Sequence, residues 1–231
     1  MSKRKFIGIL VWFLSILGGF VWAGDMAVFV DLGFSADGKH YMFAQYGVES
    51  ETLKPWAQLF IVDVPKNQFV KGGSLSFSHK GPVVAGQDGS GALYSLIAQH
   101  GALAEKYRID FLRQSQPLFI AVDDGKPQGT VEFRDFESGA SYSADLTSYV
   151  EGKGKDLKSS FYITLERKGS DGSKKKYTLG NPKVKRELVE SYRIVKVQIA
   201  PKDGSMIFVI EMRKIGTKGS DIRYMVEALR L

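Results

Sequence analysis

The sequence predicts a mainly β protein in which antiparallel meanders build a sandwich or a partial-propeller-like array of blade-like sheets, with one covering helix near 91–108. Three observations predict it. Short apolar alternations recur along the chain between glycine-bearing turns, the spacing typical of sandwiches and propeller-like arrays. Asp-Gly pairs at four expected turns supply residues that tolerate positive φ. A single stretch shows helical spacing.

The first element is a leader. Residues 1–23, "MSKRKFIGILVWFLSILGGFVWA", open with Lys3, Arg4 and Lys5, run apolar from Phe6 to Val21 and close on Val21-Trp22-Ala23. A basic start, an apolar middle and a small-residue end make the plan of a secretory signal peptide. The 16-residue apolar run is shorter than the roughly 20 residues that span a bilayer, and Gly18-Gly19 weakens its helix. Cleavage is expected between Ala23 and Gly24, leaving one β-rich domain over 24–231 with no transmembrane segment. The chain has no cysteine, so no lipid anchor is expected at the new terminus. A formal charge of +7 falls to +4 when the three basic leader residues leave. A chain of this size buries about 70% of its unfolded surface and needs no crosslink. Absence of cysteine fits a bacterial periplasm or cell exterior, so the protein is read as secreted or periplasmic.

The strands follow in order: "AVFVDLGF", "HYMFAQY", "AQLFIVDV", "LFIAV", "TVEFRDF", "SYSADL", "FYITLER", "RIVKVQI", "MIFVIEM" and "IRYMVEA". In the first, alternation places Val28, Val30, Leu32 and Phe34 on one face. The turns are Asp37-Gly38, Asp124-Gly125, Asp171-Gly172 and Asp203-Gly204. Between the strands, "DGSGALYSLIAQHGALAEKYRID" sets Leu93, Leu96, Ile97, Ala104 and Tyr107 at helical spacing, with Asp88 or Ser90 as N-cap. Gly101 lies inside this helix and weakens it by roughly 1 kcal/mol relative to alanine.

Two segments look alike. "VDLGFSADGKHYMF" and "VKVQIAPKDGSMIF" align Val30 with Val195, Leu32 with Val197 and Phe34 with Ile199, then Asp37-Gly38 with Asp203-Gly204 after one inserted residue. Each is followed by a further strand, giving blade-like repeats at 28–64 and 193–228 with Asp37, Gly38, Asp203 and Gly204 as structural turns. Turn chemistry allows few solutions, so two unrelated hairpins also resemble each other in this way. The first copy resembles the WD40-like blade of periplasmic propellers in Phe34, Ser35, Asp37, Gly38, Lys39, Tyr41, Phe43 and Leu59 to Asp63, with Ala36 where that pattern has proline. A closed propeller needs at least four blades, and two copies are visible. The whole chain resembles a bacterial family of predicted secreted proteins of unknown function in its leader, in "VDLGFSADGKHYMFAQYG", in "DGSGALY" and in "APKDGSMIFVIEMR". That resemblance implies secretion and supplies no catalytic residues.

Motifs for chemistry are few. His40, His79 and His100 lie far apart and match no metal-ligand spacing. Ser90 in "GQDGSGAL" is the best nucleophile candidate, beside Asp88, but it does not sit in a G-x-S-x-G elbow, and an N-cap explains it. Gly86, Gly89 and Gly91 open the backbone before a helix, where anions are favoured, yet no Walker lysine or G-x-G-x-x-G accompanies them. The paired acids Asp123-Asp124 and Glu49/Glu51 read as loop residues. No cofactor and no metal are expected.

Charge is the most uneven feature. Residues 153–186 hold eleven basic and three acidic residues, net +8, leaving −4 for the rest of the mature chain. The cations are Lys153, Lys155, Lys158, Arg167, Lys168, Lys174, Lys175, Lys176, Lys183, Lys185 and Arg186. Such a field attracts an anionic glycan or lipid, or an acidic envelope protein; alternatively the lysines guard exposed strand edges. Nucleic acid is disfavoured by the export signal and by the lack of aromatics interleaved with the lysines. The reading is an exported, non-catalytic binding or assembly protein of the bacterial envelope, with a hydrolase using the Ser90 loop as the alternative.

Overall fold

A computed structural model of the chain describes residues 24–84, 86–122, 128–201 and 203–231. The leader, Asp123-Asp124 and the Asp124-Gly125 turn lie outside the described residues. Strands β1 (Val28–Ser35), β2 (His40–Val48), β3 (Pro55–Asp63) and β4 (Gln68–Ser78) form an antiparallel meander, which β5 (Ile109–Asp110) extends beyond β1. A middle sheet holds β7 (Val131–Arg134), β8 (Ser141–Glu151), β9 (Lys158–Lys168) and β10 (Lys174–Gly180) in the order β10-β9-β8-β7, with β11 (Arg186–Glu187) also paired to β9. A C-terminal sheet holds β12 (Val189–Ile199), β13 (Met206–Gly216) and β14 (Gly219–Leu229), with β6 (Gln116–Ile120) beside β12.

Three apolar cores stack these sheets face on face. Leu32, Met42, Ala44, Leu59 and Ile61 of the N-terminal sheet pack under Leu93 and Leu96 of helix α1 (Ser90–Gln99) and Ala104 of α2 (Gly101–Lys106). Its other face presents Phe34, Tyr41, Phe43 and Val62 to Ile207, Val209, Val226 and Ala228 of the C-terminal sheet. That sheet turns Ile194, Val197, Met206, Phe208 and Ile210 to Phe133, Tyr142, Ala144, Phe161, Ile163 and Leu165 of the middle sheet. The C-terminal sheet is therefore buried on both faces, and its strands read as apolar runs, as in "MIFVI". The result is mainly β and antiparallel, with no closed barrel among the described residues.

Two local details correct the sequence reading. A bulge between Asp31 and Gly33 inserts Leu32 and reverses the parity of β1, because an extra residue flips all that follow to the other face. Val30 and Leu32 face the helices, Phe34 joins Phe29 on the opposite face, and Val28 is exposed. Glycine is required at the bulge. Gly33 has φ +105°, and a Cβ there would lie 2.4 Å from the Asp110 carbonyl oxygen. The helical stretch 91–108 forms as two helices, interrupted where His100 leaves the helical region at φ −124°, ψ 22°, with Gly101 next to it.

Strands β1–β3 and β12–β14 are both antiparallel meanders with the same neighbour order. Gly38 and Gly204 both hold positive φ, at 71° and 70°. Six residues separate the last ladder pairs of the two hairpins, Phe34↔Tyr41 and Ile199↔Met206, so no residue is inserted, and Gly38 stands opposite Asp203, not Gly204. β12 has its own bulge between Ile194 and Lys196, which sends Val195 and Val197 to opposite faces.

Candidate functional site

The eleven cations do not form one patch. β9 is 11 residues long, about 33 Å at ~3.3 Å per residue, and it carries basic residues at both ends. At one end Lys174 lies across from Lys168, Lys175 from Arg167, and Lys176 from Glu166, with which it pairs at 3.2 Å. These residues, with Glu166, Ser141, Tyr142 and Ser143, line a concavity of about 350 Å³. The nearby Tyr142 hydroxyl raises the Arg167 pKa and so holds its guanidinium more firmly protonated. Asp171, in the β9–β10 turn, is kept ionised by the Ser173 hydroxyl and backbone N–H. Like charges placed directly across a ladder are destabilising, so the Lys168/Lys174 and Arg167/Lys175 pairs cost the sheet stability.

At the other end stand Lys153, Lys155, Lys158, Lys183, Lys185 and Arg186. There Lys185 pairs with Glu151 at 2.6 Å, Lys158 with Glu187 at 3.6 Å, and Arg186 lies over the Phe161 ring at 5.0 Å. Acids and rings answer much of the charge at this end.

Ser90 is the first residue of α1, and Gly89 is its N-cap, in place of the Asp88 or Ser90 cap read from the sequence. The chain passes so close to β2 here that a Cβ at Gly89 would lie 2.3 Å from the Gly47 carbonyl oxygen, so no larger residue fits the cap position. Asp88 Oδ1 accepts both the Ser90 N–H at 3.0 Å and the Ser90 hydroxyl at 2.6 Å. Those two bonds lower the Asp88 pKa, which makes its carboxylate a weaker base toward the serine. They also fill a helix N–H that an anion would have used. The three histidines are placed elsewhere: His40 against the Tyr107 ring, His79 on the Gly81 backbone, and His100 between the helices. Among the described residues no cluster suits a metal ion.

The structure reveals a second concavity, of about 520 Å³, which the sequence reading missed. It is lined by residues of the N-terminal sheet, the C-terminal sheet and β11. Phe29, Phe43, Phe60 and Phe69 stack in a row across β1, β2, β3 and β4, with centroids 5.6, 4.9 and 5.2 Å apart. Phe43, Phe60 and Phe69 of this row line the cleft together with Tyr224, with Met212 and Met225 on the middle-sheet side of β13 and β14, and with Arg186, Glu187, Lys214 and Arg223 among the polar groups. Gln45 ties the two sheets: its Nε2 donates to Gln58 Oε1 and its Oε1 accepts the Tyr224 N–H, each at 2.8 Å. Behind the cleft, the Arg223 guanidinium lies 4.3 Å from the Trp56 ring, and Asp25 Oδ2 accepts from both Arg223 and Trp56 at 2.7 Å. Burial pushes the Asp25 carboxyl up despite these partners. Phenylalanine in each of the stretches that form β1 to β4 was legible; the register that stacks Phe29, Phe43, Phe60 and Phe69 was not.

The family described as "Predicted secreted protein (DUF2259)" matches residues 42–230. The chain belongs to that family. Its description agrees with the secreted localisation read from the leader, and the match covers both concavities. No curated protein matches the chain. Among the described residues no helix is long and apolar enough to cross a membrane.

Proposed function

We propose that this secreted protein is a non-catalytic binding protein of the bacterial envelope, that its leader is cleaved between Ala23 and Gly24, and that it holds an anionic glycan at the Arg167–Lys176 end of the middle sheet. One observation carries the glycan reading. Edge protection accounts for lysines on β10, the outermost strand, but Arg167 and Lys168 stand on β9, inside the sheet. Cations on two adjacent strands, set around a concavity with the hydroxyls of Ser141, Tyr142 and Ser143, suit a ligand bearing both negative charge and hydroxyl groups. The cleavage reading is supported by the two residues that follow it. A Cβ at Gly24 would lie 2.0 Å from the Ser220 carbonyl oxygen, and the Asp25 N–H donates to Asp221 at 2.9 Å, so the first residues of the mature chain are built into the body.

The test uses exported mature protein. N-terminal sequencing begins at Gly24; a membrane-retained product starting at Met1 overturns the export step. Polygalacturonate, a carboxylated glycan, binds and is released as salt rises. The Lys168→Glu/Lys175→Glu variant weakens it by at least about tenfold, and Lys153→Glu/Lys183→Glu, at the far end of β9, leaves it unchanged. Equal loss in both variants means non-specific charge, and no binding at all removes the glycan reading. A pull-down from envelope extract that retains an acidic protein through the same lysines also replaces it.

A further inference from the structure

The cleft between the N-terminal and C-terminal sheets is independent of the basic concavity, and its chemistry differs. We propose that it binds a single-chain amphiphilic anion, of which a long-chain fatty carboxylate is the simplest member. The chain lies along the phenylalanine row and the head meets the cations at the rim.

Four features lead to that ligand. A volume of about 520 Å³ is within the roughly 300–1,000 Å³ of small-molecule sites, and a mainly apolar wall with a few placed polar groups is their usual composition. Phe69, at the mouth on the edge strand β4, is 52% exposed, a large apolar group left in water. The phenylalanine faces are already stacked on one another, with interplanar angles of 23°, 21° and 25°. Stacked rings offer their edges to a neighbour, which suits an aliphatic chain better than a planar ring or a sugar face seeking a platform. In the same lining, Met212 and Met225 supply unbranched, adaptable side chains that fit a flexible chain.

Charge selects the head. Three cations and one acid line the cleft. Arg223 is neutralised by Asp25 at 2.7 Å, and Glu187 is drawn to Lys158 at 3.6 Å. Lys214 makes no ion pair among the described residues; Asp221, across the ladder from it, accepts the Asp25 N–H and lies 3.9 Å from Arg223. Lys214 is therefore the group that meets an anionic head, with Arg186, held over the Phe161 ring and near Glu227, beside it, and a cationic head of equal chain length is repelled.

The test is calorimetric titration of the mature protein with palmitate, with hexadecyltrimethylammonium as the cationic control. Trp56 is the one tryptophan after Ala23 and lies against Arg223, so its emission reports occupancy in parallel. Palmitate binds saturably at one site and the control at least about tenfold more weakly. Lys214→Glu weakens palmitate by a similar factor without weakening the control, and Met225→Trp, which fills the cleft, removes both. Should Met225→Trp fail to fold, Phe69→Ser at the exposed mouth carries the same test and weakens both ligands. The proposal is overturned by absence of saturable palmitate binding, by equal binding in all the cleft variants, or by loss of palmitate in Lys168→Glu/Lys175→Glu, which moves the carboxylate to the basic concavity.

Discussion

Gly38 and Gly204 share a backbone conformation but not a neighbourhood, and their substitution separates the two effects. Both hold φ near +70°, where a β-branched residue is strained by about 1–2 kcal/mol. A Cβ at Gly204 meets nothing within 4 Å, whereas one at Gly38 falls 2.8 Å from Asp203 Oδ2, because the two hairpin turns touch. Making room there displaces a carboxylate whose Oδ1 accepts the N–H of fully buried Ser205 at 3.0 Å. Loss of that bond adds about 1 kcal/mol or more. Gly204→Val is thus expected to cost about 1–2 kcal/mol and Gly38→Val about 2–3 kcal/mol. At roughly 2–4 °C per kcal/mol for a chain of this size, the melting temperature falls by about 2–8 °C and about 4–12 °C. Urea and thermal unfolding of both variants measure this. In an Asp203→Ala background the extra cost at Gly38 shrinks by about 1 kcal/mol, since the displaced group is gone. Equal costs at the two glycines, or no coupling between Gly38→Val and Asp203→Ala, would refute the contact between the turns.

Ser90→Ala is expected to change stability by less than about 0.5 kcal/mol, because the serine hydroxyl only adds to an Asp88 carboxylate that already accepts the backbone N–H. Asp88→Ala costs more than Ser90→Ala; hydrolytic turnover that vanished with Ser90→Ala in a folded variant would instead make the loop catalytic. Glu227 is buried, which raises its pKa above the ordinary 4.5 even though Asn67 Nδ2 donates to it. A raised acid leaves the native state holding more protons, so its contribution to stability is present below about pH 4.5 and is lost as pH rises through the folded value. Glu227→Gln removes that loss, and thermal melts from about pH 4 to about pH 7 should show the variant gaining on wild type as pH rises. A gap that does not change with pH contradicts the assignment.

What was legible in the sequence follows the range of each interaction. Gly38 and Gly204 hold positive φ, and an Asp-Gly pair announces that torsion in the sequence because it belongs to the glycine itself. The helical stretch is read from its own spacing, and only its break at His100 escapes. β4 is absent from the alternating segments because Lys71-Gly72-Gly73 interrupts its pattern, although β3 pairs with it along most of its length. The face of Phe34 was not legible at all. It depends on a bulge locked where Gly33 meets the Asp110 carbonyl, a contact between residues 77 apart that no local alternation encodes.

The same distinction separates the two candidate sites. Charge is a property of residues, so the run from Lys153 to Arg186 announces a field, but strand length decides that its two halves stand a β9 apart and that only one half surrounds a concavity with few acids. A cleft is a property of registers. Phe29, Phe43, Phe60 and Phe69 form a row only because the β1 bulge, the direct Phe43↔Phe60 pairing and the β3–β4 bulge bring them to one face, while Met212 and Met225 project from the middle-sheet side of the C-terminal sheet and share the cleft lining with Phe43, Phe60 and Phe69. The bulge that defeats the alternation of β1 therefore also turns Phe34 into the core between the two sheets, and with it goes the wall on which the cleft is built.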